Sequence, residues 1–239
     1  MKTIKIAHLY YDLMNLYGEN GNTRVLCKKL VDQGLKVEVH FLSIDDKIDF
    51  SLYDIFYIGS GSEENASLVL EHLKNYQSDL KKAINEGKFF IVTGNALELF
   101  GTKIINLDDS STPTLGIFDY ECKVTDFRII GEQVFTCPLI KEKIIGFQNR
   151  NTVINDYPHN LFEVITGTGY KPKVMQEGIL EKHFYGTYLL GPLLVRNPYL
   201  LDEIVKEIVT SFALEFKENK KDDVSYKAYH EYIKNFVEN

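Results

Sequence analysis

Cysteine is scarce in this chain. Cys27, Cys122 and Cys137 are the only three in 239 residues, and none stands at metal-ligand spacing from another, so the sequence suggests neither a disulfide framework nor a zinc site. An excess of positive charge is also missing. The 27 Lys and Arg are outnumbered by 34 Asp and Glu, for a net charge of −7, which speaks against a nucleic-acid-binding face and against a polybasic membrane anchor. No apolar run approaches the roughly 18 residues of a spanning helix. The opening Met1-Lys2-Thr3-Ile4-Lys5 has no long apolar stretch of the signal-peptide kind. These absences predict a cytoplasmic chain with no membrane insertion, no nucleic-acid partner, no metal and no cofactor. Internal repeats and low-complexity segments are absent too.

What remains is ordinary material for a folded protein, 44% hydrophobic and 26% charged, long enough for one α/β domain to bury a core without staples. Residues 4–10 read as a strand. Residues 22–33 read as a helix, with Val25, Leu26, Lys29 and Leu30 at helical spacing and Gly34 as its stop. Residues 37–44 alternate apolar and polar, as a half-buried strand does. Residues 53–58 form a short apolar strand, 63–86 a helix stopped by Gly87, and 89–93 the next strand. Strands separated by helices predict a mostly parallel sheet flanked by helices, with right-handed crossovers. Function in such a sheet sits at the carboxyl ends of the strands, here residues 11–22, 59–65 and 94–96.

The second half changes character. Short alternating segments over 115–150 predict hairpins packed on one edge. Residues 164–173 are loop-rich, while 177–185 and 186–190 are strand-like. Asn197-Pro198 opens a helix reaching about residue 216, with Leu200, Leu201, Ile204, Ile208, Val209 and Phe212 as one apolar stripe. A charged break over 217–223 precedes a last helix over 224–237, with Tyr226, Tyr229, Ile233 and Phe236 on one face. The predicted organisation is one domain over 1–216 and a C-terminal helical appendage over 217–239.

Residues 88–101 have the strand-turn-helix shape of a nucleophile elbow, in which a reactive side chain is held exposed on a strained turn. The apex is Gly94, with no reactive atom. Residues 11–22 are long for a strand-to-helix link, so they form either a functional loop or an ordinary connection, with Asn22 placed to cap the following helix. Gly59-Ser60-Gly61-Ser62 ends a strand. Its backbone N–H groups could line an anion or oxyanion site, and turn chemistry alone also explains the glycines. No Gly-Lys-Ser/Thr follows, so it is not a phosphate loop. Residues 186–198 read as a strand, a Gly-Pro turn and a helix start, with nothing chemically competent. His8, His40, His72, His159, His183 and His230 are scattered, and a lone histidine is more often structural or superficial than catalytic. Asp45-Asp46 reads as a solvated turn, and Glu63-Glu64 as acidic support for a helix N-terminus.

Taken in order, residues 6–22 with Leu-Met-Asn-Leu-Tyr-Gly-x-x-Gly-Asn, Gly59–Gly61, residues 90–101, Gly146-Phe147-Gln148-Asn149 and residues 186–198 resemble the class I (triad-type) glutamine amidotransferases of the cobyric-acid-synthase-like branch. Within that branch the chain is most similar to the glutaminase subunits of lipid II isoglutaminyl synthases, over about residues 4–200. The resemblance implies a flavodoxin-like α/β fold. It also implies a reaction in which a Cys thiolate attacks the glutamine side-chain amide, a His carries the proton, and ammonia passes to a Mur-ligase-like partner that amidates a peptidoglycan stem peptide.

The departures fall on the chemistry. Where the family has Ile-Cys-Gly-Gly-x-Gln-x-x-Gly, this chain has Thr93-Gly94-Asn95-Ala96-Leu97-Glu98-Leu99-Phe100-Gly101, so the cysteine corresponds to Gly94 and the glutamine to Glu98. Where the family has Tyr-x-His-Gly-Pro, this chain has Tyr188-Leu189-Leu190-Gly191-Pro192, so the catalytic histidine corresponds to Leu190. Gly-Phe-Glu-Asn-His becomes Gly146-Phe147-Gln148-Asn149-Arg150, and Ser60 interrupts the oxyanion-loop glycines. The expected protein keeps the fold, has lost glutamine hydrolysis, and acts as partner or regulator of a Mur-ligase-like enzyme. A second reading is an active subunit with non-standard residues, Thr93 or a cysteine, although the sequence puts no base beside Thr93. A third is a small-molecule module binding glutamine or another amino acid. Its pocket is floored by Gly94 and Asn95, bounded by Gly59, Ser60 and Gly61, and rimmed by Gln148, Asn149 and Arg150, with Arg150 either a carboxylate fork or a solvated loop residue.

Overall fold

The computed structural model describes residues 3–155, 157–218 and 223–237. The chain begins with β1 (Thr3–Leu9), α1 (Asn20–Asp32), β2 (Lys36–Leu42), β3 (Ile55–Ile58), α2 (Glu63–Lys74), α3 (Gln77–Asn85) and β4 (Phe89–Thr93). A 3-10 turn (Gly94–Phe100) leads to β5 (Lys103–Ile105), β6 (Ser111–Pro113), the long pair β7 (Glu121–Cys137) and β8 (Ile140–Ile154), then β9 (Phe162–Thr166), β10 (Gln176–Glu177), β11 (Ile179–Glu181) and β12 (Phe184–Thr187). Helices α4 (Leu193–Arg196), α5 (Pro198–Ser211) and α6 (Val224–Phe236) close the chain.

The first six-stranded sheet has the order β11-β12-β4-β3-β1-β2. Its strands are parallel except for β11, which runs antiparallel at the edge. Every residue of β3 and β4 is buried. A central parallel strand is covered on both faces, and this is why these segments are unbroken apolar runs. Edge strand β2 is half exposed, but its burial does not follow the apolar–polar alternation of its sequence: Val37, Glu38 and Val39 are all half-buried and Phe41 is exposed.

The structure corrects four expectations. The segment 63–86 is two helices. Tyr76 leaves the helical path (φ −115°, ψ 11°) because its ring packs against Phe50 and His72 while its hydroxyl accepts the Ile48 N–H. The region 115–150 does not extend an edge of the first sheet. It supplies β7 and β8 to a second six-stranded sheet, order β10-β9-β7-β5-β6 with β8 on β7, which lies across the carboxyl ends of the first. Leu190, just beyond β12, makes the joining bridge to Phe147 of β8, its N–H donating to the Phe147 carbonyl at 2.8 Å. The helix from Pro198 stops at Ser211 rather than near 216, since Ala213 turns into the left-handed region (φ 57°) and the Leu214 N–H returns to the Val209 carbonyl at 3.2 Å, a C-terminal cap. Asn22 is inside α1 and does not cap it.

The charged break over 217–223 lies partly outside the described residues. The helix after it is docked. Lys29 Nζ, buried on α1, donates at 2.8 Å to both Asp202 of α5 and the Tyr226 hydroxyl of α6, and the Tyr229 hydroxyl donates to the Lys143 carbonyl at 2.7 Å. Tyr226, Tyr229 and Ile233 are buried, whereas Phe236 is exposed and its ring lies 4.9 Å from that of Tyr232 in a tilted contact. Among the described residues no helix is long and apolar enough to cross a membrane.

Asn197 ties the second sheet to the helical layer. Its Oδ1 accepts the Ile145 N–H at 2.8 Å, and its Nδ2 donates to the carbonyls of Ile145 (2.7 Å) and Leu193 (2.8 Å). Because Ala would remove the side-chain partners of the Ile145 N–H and carbonyl, while the Leu193 carbonyl keeps the backbone N–H of residue 197 at 3.1 Å, Asn197→Ala is expected to lower the unfolding free energy by about 2–4 kcal/mol, read from a urea denaturation curve.

Candidate functional site

Strand β4 ends in a sharp turn with Gly94 at φ +64°, the strained elbow geometry. A Cβ built on Gly94 would lie 2.5 Å from Ser60 Cβ, 2.6 Å from Ser60 Oγ and 2.7 Å from Leu190 Cδ2. Three segments separated in sequence, at the ends of β3, β4 and β12, thus converge on one point. The space into which a side chain on Gly94 would project is filled there, by the Ser60 side chain and by a methyl group of Leu190.

The backbone donors beside the elbow are occupied as well. The Gly61 N–H and the Ser60 hydroxyl both donate to Asn95 Oδ1 at 3.0 Å, and Asn95 Nδ2 donates to the Gly61 carbonyl at 2.9 Å. An oxyanion site needs such N–H groups free and aimed at the developing charge. Here the Asn95 amide takes that place.

Thr93 does have a carboxylate beside it, which corrects the sequence reading. Its hydroxyl donates to Glu19 Oε2 at 2.7 Å and lies 2.9 Å from the Tyr57 hydroxyl. The same Glu19 oxygen accepts from Tyr57 and from Asn22 Nδ2. Asn22 also reaches the Tyr57 hydroxyl, and its Oδ1 accepts the Leu194 N–H at 2.7 Å, so this residue pins α4 to α1. Burial raises the Glu19 carboxyl above its ordinary pKa. Thr93 and Glu19 are both fully buried, and neither lines the cavity described below. The three thiols are no better placed. Burial pushes Cys27 and Cys137 up to about 11 and Cys122 well above its ordinary value, which suppresses the thiolate that does chemistry. His8 is buried with Nδ1 3.1 Å from Thr23 Oγ1 and is held neutral, its pKa lowered by burial to about 4.

A cavity of about 550 Å³ opens between the carboxyl ends of the first sheet and the inner face of the second. Ser60, Gly61, Asn95, Asn149 and Arg150 line it, while Gly59, Gln148, Gly94 and Leu190 do not. Gly59 packs under the 11–19 loop, where a Cβ would meet Glu19 and Met14 at 2.6–2.7 Å. Gln148 is fully buried and donates to the Thr168 carbonyl at 3.0 Å.

Arg150 is neither on a loop nor solvated. It belongs to β8 and is buried. Its Nε donates to Gln148 Oε1 at 2.9 Å, Nη1 to the carbonyls of Thr152 and Tyr170, and Nη2 to the Gly169 carbonyl at 2.5 Å. The guanidinium carbon sits 4.1 Å from the Tyr188 ring centroid. With most of its donors so engaged, this side chain braces the cavity.

Sequence reasoning missed Arg128, Tyr17 and Thr152 as lining residues. Arg128 projects from a bulge between Val124 and Ile129 and donates to Asn149 Oδ1 at 3.1–3.2 Å. A bulge leaves no periodic signal from which its direction could be read. Glu98, noted only as a departure, forms part of the cavity floor. Its Oε1 accepts the Thr152 hydroxyl, and burial raises its pKa to about 7 against the opposing pull of Arg150. Glu177, buried nearby, accepts the Tyr188 N–H and the Thr187 hydroxyl at 2.8 Å and is also raised to about 7 by burial.

The CobB/CobQ-like glutamine amidotransferase domain matches residues 5–198. The chain belongs to this family. It is 29% identical over 224 residues, covering 93% of this chain and 91% of the relative, to the GatD subunit of the glutamine-hydrolysing lipid II isoglutaminyl synthase of Staphylococcus aureus (strain N315). Identity to the corresponding subunit of Streptococcus pneumoniae (strain ATCC BAA-255 / R6) is 30% over 206 residues, covering 84% and 79%. Among solved structures, PurLQS from Thermotoga maritima superposes with a TM-score of 0.56 at 13% identity, covering 89% of this chain and 100% of that one. A glutamine amidotransferase crystal structure gives 0.57 at 13%, covering 86% and 98%. At that identity the structures speak for the fold, which is the flavodoxin-like α/β fold of the class I amidotransferases.

Two outcomes follow from this geometry. Gly94→Cys is expected to destabilise the chain by about 1–3 kcal/mol through overlap and backbone strain, with part of the loss recovered by adding Ser60→Gly, both read from urea melts. Unfolding free energy is expected to fall as pH rises from about 5 to about 8. Glu98 and Glu177 keep their protons up to about pH 7 when folded and release them near 4.5 when unfolded, so the folded state binds more protons in that window and loses stability as they leave. Glu19 acts in the same direction. His8, neutral in the fold down to about pH 4, acts oppositely and is outnumbered. A curve that rises over this range would contradict the burial of these carboxyls.

Proposed function

We propose that this chain is an amidotransferase-fold subunit that has lost glutamine hydrolysis and serves as partner or regulator of a Mur-ligase-like enzyme in peptidoglycan amidation, in the cytoplasm. The observation that carries the proposal is the filled elbow, where Gly94 meets Ser60 and Leu190 with no room for a nucleophile and no base beside it. Covalent amide hydrolysis needs both groups, and losing either typically costs several orders of magnitude in rate. The Asn95 amide seated on the Gly61 N–H supports the same reading.

The partner half of the proposal is supported by the two relatives, each a subunit of a lipid II isoglutaminyl synthase matched over most of its length. We read residues 1–216 as the amidotransferase-like domain and 217–239 as its appendage, whose α6 turns Val224 and Phe236 outward and so offers apolar contact area to a partner. A second reading, a small-molecule binding module, is favoured by one observation, the open cavity beside the filled elbow. A displaced active site on Thr93 or a cysteine has the geometry against it, since Thr93 is sealed and all three thiols are shifted away from thiolate.

The test is glutamate release from glutamine by the purified full chain, alone and together with a Mur-type ligase from the same source. The expected result is no turnover above background in either state, with formation of a stable complex with the ligase. Turnover that persists after removal of trace contaminants, and that Thr93→Ala or a cysteine substitution abolishes, would establish a relocated site instead. Failure to form the complex would remove the partner role.

A further inference from the structure

The cavity that persists beside the filled elbow carries charge of both signs. Arg128 and Arg150 bring positive charge from the second sheet, and Glu63 and Glu98 bring negative charge from the first. Glu98 is 8% exposed. Its Oε1 accepts the Thr152 hydroxyl, whereas among the described residues no group donates to Oε2 and that oxygen is not a sealed one. Oε2 is therefore the oxygen that meets the cavity.

The charge around it does not balance. Arg150 is the cation that favours ionised Glu98, and it acts on Glu177 as well. Glu177 has both oxygens filled by Thr187 and Tyr188, while Glu98 has one open. Two buried carboxyls thus share the pull of one guanidinium, and the one facing the cavity has one oxygen, Oε2, with no donor. Glu63, at the start of α2, adds further negative charge on the same side. An ionised carboxylate only accepts, so the floor here selects for N–H donors, and most strongly for cationic ones.

We propose that this cavity binds a small polar ligand through a cationic nitrogen, an ammonium or guanidinium held on Glu98 Oε2, with Arg128 on the opposite wall able to take a carboxylate. Ligands of this class include the basic amino acids, free or as a side chain on a peptide. The inference rests on the reading that the site no longer hydrolyses glutamine. It makes Glu98 the residue that sets ligand specificity.

Calorimetric titration and thermal shift of the full chain test it, using L-lysine and L-arginine against L-norleucine, which lacks the side-chain cation, and against L-glutamine. Lysine or arginine is expected to bind at least about tenfold more tightly than norleucine or glutamine. Glu98→Gln should abolish that preference. Affinity for the cation should rise about tenfold from pH 6 to pH 8 in the native chain, as Glu98 ionises around 7, and stay nearly flat in Glu98→Gln. That comparison separates Glu98 from the groups that face it, namely Arg150, Thr152 and Cys122 from the second sheet, Glu63 from α2, Tyr120 before β7, Tyr188 after β12 and Arg128 across the cavity.

Blocked lysine, Nα-acetyl-lysine amide, distinguishes the two sources. Binding equal to lysine assigns a side chain carried on a peptide, and loss of binding assigns the free amino acid. Norleucine or glutamine binding as well as lysine, an unchanged preference in Glu98→Gln, or no binding by any of these compounds would each overturn the proposal. Should Glu98→Gln fail to fold, the lysine–norleucine comparison on the native chain decides. Glutamate release is scored separately, so a chain silent toward glutamine and blind to amines defeats this inference and leaves the loss of hydrolysis standing.

Discussion

The buried guanidinium of Arg150 is the interaction on which the wall of the cavity between the two sheets depends. It lies 4.1 Å from the Tyr188 ring centroid, beyond the end of β12, and donates to carbonyls of Thr152, Gly169 and Tyr170, so one side chain ties β8 to the 169–170 loop and packs both against the segment leaving the first sheet, beside the Leu190–Phe147 bridge that joins the sheets. A buried cation is costly unless paired and hydrogen-bonded. The chain meets that cost with backbone oxygens, an aromatic face, and the carboxyls of Glu98 and Glu177, which Arg150 draws toward ionisation. Polarity at the cavity floor follows directly from what is needed to bury this one charge.

Beside that brace, the elbow has been closed by packing. Gly94 retains the positive φ of the strained turn, yet the volume toward which a side chain would project is taken by Ser60 and Leu190. Loss of the reactive atoms and loss of their space go together, because interiors are close-packed and a vacated position tends to be filled. Asn95 completes the closure by engaging the Gly61 N–H. Beneath the elbow lies the buried Thr93–Glu19–Tyr57–Asn22 network. It satisfies polar groups at the ends of β3 and β4 and, through Asn22, fixes α4.

The parallel sheet, the elbow, the glycine turn and the Gly-Pro turn are backbone features, maintained by burial and hydrogen bonding irrespective of catalysis. The cavity persists for the same reason, since its walls are the ends of strands that the core already holds in place. Fold alone does not specify what occupies it; the charges on its walls narrow the choice.

The apolar runs of β3 and β4 read from sequence as buried parallel strands, because both faces of such strands are covered and local composition records this. That Gly94 carries no thiol and Leu190 no imidazole was equally legible, since no fold can supply either group. Tyr76 breaking a helix, Asn22 lying inside α1, Glu19 reaching Thr93 and Arg150 turning inward were not legible. Each depends on partners far away in the chain, as with Asn22 Oδ1 and the Leu194 N–H, 172 residues apart. Periodicity and turn chemistry are local and so fix elements and absent groups. Which side chains meet is decided by packing the two sheets together, which brings distant residues within a few ångströms and sets their burial, their charge state and the shape of the cavity between them.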